Sequence, residues 1–231
     1  MRGVALAIEL SQREGSVALG DGDREPLMRS FASGRSADDD ALMPSIDELM
    51  RRAGLGPRDL RAVFVSVGPG SFTGLRIAVT TAKLLAECLT IPLVGVPSGL
   101  VAAANAGPGS PRWVALAAKR DTAWFMKVTG VGADVRCDGP GARTGIMGPR
   151  EFGEVVAEAR GLLADEYVPE PIVAVARAAG LAVDPPTFRA DRCLDVGFTM
   201  LARGETTKPE ALTPLYPREP EAVTLWRDRH G

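Results

Sequence analysis

Apolar positions in the first hundred residues recur with two different periods. Short aliphatic runs at Val4 to Ile8, Ser16 to Leu19 and Leu27 to Ala32 read as strands, with Gly15 and Gly20 to Asp23 as turn residues between or beside them. Three short neighbours of this kind predict an antiparallel meander. From about Ala41 to Ala53 the period lengthens. Leu42, Ile46, Leu49 and Ala53 fall at offsets of four and three, Pro44 sits in the first turn and Gly54 ends the run, so the segment predicts an amphipathic helix. Ala62 to Val67 is rich in β-branched residues and reads as a buried strand. A glycine-rich turn follows, then a helix through Leu89, a strand at Leu93 to Val96 and a helix opening at Ser98.

This order, β-β-β-α-β-α-β-α, implies a mixed sheet covered by helices. It is the lobe plan of the actin-like, ribonuclease H-like α/β class, which includes sugar kinases, Hsp70 and actin, and the assignment to that class is partly analogy. Asn105 to Pro111, with Gly107-Pro108-Gly109 at its centre, is the strongest linker signal, so two lobes are expected, over 1–107 and 108–231. Beyond it the pattern weakens. Trp113 to Ala117 and Ala123 to Val128 read as two strands, Cys137 to Pro149 as glycine-rich loop, and Pro149 to Arg160, Pro171 to Ala179 and Cys193 to Arg203 as helices. The tail from Leu212 to Pro220 carries three prolines and is expected to run extended over the surface. No internal repeat is visible. The second lobe is expected to be reduced, with too few strands to echo the first.

Composition narrows the chemistry. With 231 residues, 45% of them hydrophobic, the chain can bury a sizeable core, and its formal net charge of −2 leaves no basic surplus for a broad nucleic-acid face. Cys88, Cys137 and Cys193 form neither a close pair nor an even set, which argues against disulfides or zinc and fits a reducing, cytoplasmic compartment. The apolar start is too short for a signal peptide core, and no run reaches the ~20 residues of a membrane span. His230 is the one histidine, so Ser-His-Asp, Cys-His and multi-histidine metal chemistry are set aside. Asp38, Asp39 and Asp40 read as solvated charges before a positive helix end, in preference to metal ligands.

The centre of gravity is the turn from Gly68 to Arg76. Gly68, Gly70 and Gly74 stand where a strand becomes a helix, a place where backbone amides can converge on an anion. Yet Thr73 occupies the last glycine of a dinucleotide fingerprint, Leu75 stands where a phosphate-binding loop has lysine, and Pro69 removes a donor. The competing reading is a tight turn whose glycines give positive φ or close packing, with Ser71 or Thr73 capping the helix. Arg76 in the first helical turn calls for an anion, either a carboxylate such as Glu9 or a ligand phosphate, and the carboxylate is the preferred reading.

The helix that follows is apolar on two sides. Leu75, Val79, Ala82, Ala86 and Leu89 form one stripe, and Ile77, Leu84 and Cys88 form another about 200° round at 100° per residue. A helix on an open sheet needs only one such face. The second is expected to pair with the first helix as a two-helix partner surface of Leu42, Ile46, Leu49, Met50, Ile77, Leu84 and Cys88.

The run Val67-Gly68-Pro69-Gly70-Ser71-Phe72-Thr73-Gly74-Leu75-Arg76-Ile77 resembles the signature of the bacterial TsaB family. Ala7 to Ser11 with Ser16 to Leu19, Leu42 to Leu49, Ile91 to Val96, and Leu215 to Arg218 followed by Glu221-Ala222 resemble other family segments. The resemblance implies a non-catalytic subunit that pairs with a TsaD-like catalytic partner to place threonylcarbamoyl on the adenosine next to the anticodon of certain tRNAs. A TsaE-like ATPase, a homodimer of the lone chain, and tRNA contact through the complex belong to the same set of expectations. The partner of that family holds metal and nucleotide with histidines on its first helix, whereas Ser36 to Ala41 has none. Glu9-Leu10 stands where the family usually has Asp-Thr, so no cofactor is assigned to this chain, and ATP or ADP is left to the complex with the partner. An actin-like, ATP-binding phosphotransferase is the alternative, motivated by the glycine turn, Arg76 and the two-lobe plan.

Overall fold

The computed structural model describes residues 3–32, 41–107, 110–119, 121–137, 144–217 and 226. Asp38 to Asp40, the Ser36 to Asp40 stretch, Pro108-Gly109 of the linker, Arg218, Glu221-Ala222 and His230 lie outside them.

β1 (Val4–Glu9), β2 (Glu14–Gly20) and β3 (Leu27–Ala32) form the expected meander, and β4 (Leu60–Gly68) and β5 (Leu93–Pro97) add in parallel to β1, giving the order β3-β2-β1-β4-β5. Alternation along β1 assigns the faces. Leu6 and Ile8 point to α1 (Leu42–Ala53) and α2 (Phe72–Leu89). Ala5 and Ala7 point the other way, toward α3 (Ser98–Asn105) and α6 (Ala190–Ala202). These alanines, with Ala18 and Ala62, let α6 sit close to the sheet, and a Cβ on Gly197 would stand 2.3 Å from the Phe64 ring.

The second half is fuller than its sequence pattern. β6 (Arg112–Ala117) pairs antiparallel with β7 (Ala123–Thr129), as expected. The supposed loop of 137 to 149 begins in β8 (Arg136–Cys137) and contains β9 (Thr144–Met147), both of which pair with β7. After α4 (Pro149–Val155) come β10 (Gly161–Ala164), α5 (Glu170–Ala178) and β11 (Ala182–Asp184), and β6, β10 and β11 run parallel. The order β8-β7-β6-β10-β11 repeats the plan of the first sheet: a meander from its first strand on one side, parallel crossovers on the other. A topological repeat is therefore present where none was expected. It escaped the pattern because β8 to β11 have only two to four residues each, too few to show a period.

The two sheets share one layer of helices. Val114 and Leu116 of β6 face α3 and α6 from below as Ala5 and Ala7 of β1 do from above. Trp113 and Ala115 face α4 and α5 together with a stacked Phe125–Phe152 pair 4.5 Å apart. The expected boundary at 107 separates the sheets and leaves the helices mixed: α6, from the chain's second half, packs on β1, β2, β4 and β5. The tail also returns to the first lobe, through Thr207 N–H to the Leu93 carbonyl and Leu215 N–H to the Val67 carbonyl.

Candidate partner interface

Gly68 has φ of +108°, a backbone region L side chains avoid, and a Cβ there would meet Leu75 Cδ1 at 2.8 Å and the Leu215 carbonyl oxygen at 2.9 Å. Gly70 and Gly74 are required by close approach. Added Cβ atoms would lie 2.1 Å from the Ser11 carbonyl oxygen and 2.2 Å from that of Leu10. The turn after β4 is thus packed down onto the turn after β1. Ser71 N–H donates to the Ser11 carbonyl at 2.7 Å, and the Ser71 hydroxyl caps α2 by accepting from Gly74 N–H at 3.3 Å. Capping by Ser71 and close packing by the glycines, both expected alternatives to a phosphate cradle, describe this turn. The N–H groups of Ser71 and Ser11 are committed within the protein, the latter to Glu9 Oε1 at 2.6 Å. These two donors are therefore not free to cradle a phosphate.

Arg76 does not pair with Glu9. Its guanidinium lies over the Phe72 ring, 3.8 Å from the centroid, while Glu9 is fully buried. The π-face satisfies the cation at the helix start that had called for an anion. Tyr216 packs on the same ring at 5.3 Å, and Lys83 Nζ donates to the Leu212 carbonyl at 3.1 Å, so the tail straps the first three turns of α2. Phe72 and Tyr216 were not singled out from the sequence, although both lie in segments that resemble the family.

The helix faces divide cleanly. Leu75, Val79, Ala82 and Ala86 are buried against the sheet, joined by Ala78. On the far side Ile77 is 41% exposed and Leu84 59%, with Cys88 also exposed. The second apolar stripe is therefore not enclosed by its own chain. On α1 the outcome is opposite. Leu42, Ile46, Leu49 and Met50 are buried against the sheet, with Val17 and Leu19 in the same cluster, and they present no surface to a partner. They are the single core stripe that an amphipathic helix on a sheet requires. Met43, half exposed, is the large apolar side chain that α1 offers outward. The exposed apolar side chains of the outer face of α2 are Ile77, Leu84 and Cys88; Phe72 at the turn is exposed as well.

Glu9 heads a second feature, a buried polar cluster where the lobes meet. Ser66 and Ser98 hydroxyls share a hydrogen bond of 2.7 Å, Ser11 is fully buried, and Cys193 of α6 is fully buried beside them. Burial pushes the Glu9 carboxyl up from its ordinary value, against the opposing pull of the Ser11 hydroxyl, Ser11 N–H and Ser66 hydroxyl. The Cys193 thiol is raised well above its ordinary value, by burial first and by the neighbouring Glu9 second. Between the lobes, Arg13 after β1 lies over the Tyr167 ring after β10, 5.1 Å from its centroid. Among the described residues no three His, Cys, Asp or Glu side chains gather as a metal site, and no helix is long and apolar enough to cross a membrane.

Two sheets of one plan around a shared helical layer define the actin-like, ribonuclease H-like class. Two *Pseudomonas aeruginosa* structures carry this fold. YeaZ superimposes with a TM-score of 0.71 at 22% identity over 93% of this chain and 99% of its own. A protein described as similar to peptidase YeaZ gives 0.74 at 23% over 94% and 100%. The family model for TsaD, tRNA N6-adenosine threonylcarbamoyltransferase, matches residues 37–136. *Bacillus subtilis* (strain 168) tRNA threonylcarbamoyladenosine biosynthesis protein TsaB is 46% identical over 63 residues, 27% of this chain and 28% of that protein. An uncharacterized *Mycobacterium tuberculosis* (strain H37Rv) protein, Rv3421c, is 31% identical over 186 residues, 80% of this chain and 76% of its own. The chain belongs to the TsaB-like family.

Proposed function

We propose that this chain is a non-catalytic subunit of the machinery that makes threonylcarbamoyladenosine in tRNA, and that it binds a TsaD-like catalytic partner through the outer face of α2. One observation carries the reading: a helix opened by the family's signature turn keeps one apolar stripe in the core and leaves Ile77 and Leu84 in water. The *B. subtilis* relative's role in this modification supports the pathway, and the TsaD family match supports the partner's class. On this reading the complex works in the cytoplasm and tRNA is reached through it. A TsaE-like ATPase is a further partner of that complex, and the same face pairs two copies of the lone chain. ATP or ADP belongs to the junction with the partner. The phosphotransferase alternative has less support, because the Ser71 and Ser11 amides are spent on the Ser11 carbonyl and on Glu9.

The test is to mix the purified chain with its TsaD-like partner and measure the mass of the complex by light scattering. Wild type is expected to form a heteromer. Ile77→Glu combined with Leu84→Glu is expected to abolish it and, with it, tRNA modification in the reconstituted system. An undiminished complex in the double variant would sink the assignment of this face.

A further inference from the structure

Among the described residues of the first lobe Glu9 is the fully buried carboxyl, and its two oxygens differ. Oε1 accepts Ser11 N–H at 2.6 Å; Oε2 is buried and accepts nothing, and the Ser11 hydroxyl oxygen is likewise buried without a partner. An ionised carboxylate only accepts hydrogen bonds, so a bare buried Oε2 would carry the full cost of lost hydration. A neutral acid has a proton on that oxygen. That removes the charge which burial strands without a counter-ion, something a Ser11 O–H donated to an ionised Oε2 would not do. The surroundings agree. From β4 the facing group is the Ser66 hydroxyl, itself bonded to Ser98 of α3; from β2 it is Ser16, whose hydroxyl accepts from Ala190 N–H; from α6 it is the Cys193 thiol. No described cation forms an ion pair with Glu9. Arg189 and Asp191, at the start of α6, pair with each other, and Arg76 lies on Phe72.

The hydrogen bonds continue from this carboxyl to the helix. Glu9 holds the Ser11 amide, the Ser11 carbonyl holds Ser71 N–H, and Ser71 caps α2. We propose that Glu9 is a positioning residue, kept as a neutral acid, that locks the turn after β1 onto the glycine turn and so fixes where α2 begins. Its effect on partner binding rests on the reading above; the assignment itself does not, and it is tested on the isolated chain.

Wild type and Glu9→Gln would be compared by hydrogen–deuterium exchange of the 68–76 segment from pH 5 to pH 8, corrected for intrinsic exchange. In wild type an opening that frees the carboxyl should become about tenfold more favourable per pH unit between the ordinary and the raised value, then level off. The amide, which keeps one donor and one acceptor in place but cannot ionise, should give a flat profile. A glutamate carboxyl carbon resonance in wild type should also stay protonated well above the others. Equal exchange profiles in the two proteins would overturn the proposal. So would a wild-type spectrum in which every glutamate titrates in the ordinary range, a result that does not depend on the variant folding.

Discussion

At the scale of single residues, the signature turn is explained by what its glycines touch. Gly74 faces the Leu10 carbonyl across a gap that a methyl group would close to 2.2 Å, and the obstacle is backbone, which cannot swing aside. Gly74→Ala is therefore expected to cost about 1–3 kcal/mol in urea denaturation; a loss under about 0.5 kcal/mol would mean the two turns are not packed as described. Glu9 makes a prediction with a sign. Its folded value lies above the ordinary 4.5, so the folded state holds a proton that the unfolded state releases. Its contribution to stability is complete below the ordinary value and is lost as pH climbs through the raised one. The stability of Glu9→Gln minus that of wild type should thus grow by about 1.4 kcal/mol per pH unit in that window and stay constant above it. These contacts were only half visible in the sequence. The spacing of Gly68, Gly70 and Gly74 separates this turn from nucleotide loops, but the carbonyls that Gly70 and Gly74 approach belong to a turn some sixty residues earlier, and the one beside Gly68 belongs to Leu215 of the tail. Arg76 illustrates the same point: a need for a partner is legible from its position, whereas the choice of Phe72 over Glu9 is a matter of tertiary packing.

Among the elements, α1 and α2 show what periodicity can and cannot say. It identified both helices and, for α2, two apolar faces. It could not say which residues of α1 meet the sheet, and the stripe assigned to a partner proved to be core. Leu49 is fully buried and Leu84 is 59% exposed, so the two faces should respond differently to truncation. Leu49→Ala is expected to cost about 2–5 kcal/mol, and Leu84→Ala within about 0.5 kcal/mol, by urea denaturation of the isolated chain at a dilution that keeps it monomeric. Similar losses at both positions would show that Leu84 is covered by the chain itself or by a second copy, and a dependence on protein concentration would separate these two cases. In the second lobe the long strands β6 and β7 were legible and the short ones were not. Strands of two to four residues are defined by the neighbour they pair with: β7 for β8 and β9, β6 for β10, and β10 for β11.

For the whole molecule, the mixed sheet of the first lobe could be argued from element order, and so could its class. The sharing of helices between lobes could not, because it depends on where α6 goes after leaving the second sheet. Its destination is the alanine-lined face of the first sheet, where Phe198 meets Phe64 edge-on at 5.0 Å and Ala190 N–H is held by the Ser16 hydroxyl at 3.0 Å. Without α6 that face would expose Phe64 and Val94 beside Ala5 and Ala7, and without the tail the backbone of β5 would lose its bond from Thr207. The two lobes are then one folding unit, although a linker lies between their sheets. A fragment ending at residue 107 is expected to give no cooperative thermal transition by circular dichroism, and a peptide spanning 188–217 added in trans should restore one, with a midpoint that rises with peptide concentration. A fragment of 1–107 that melts cooperatively alone would show instead that the first lobe is autonomous and that α6 is only an added cover.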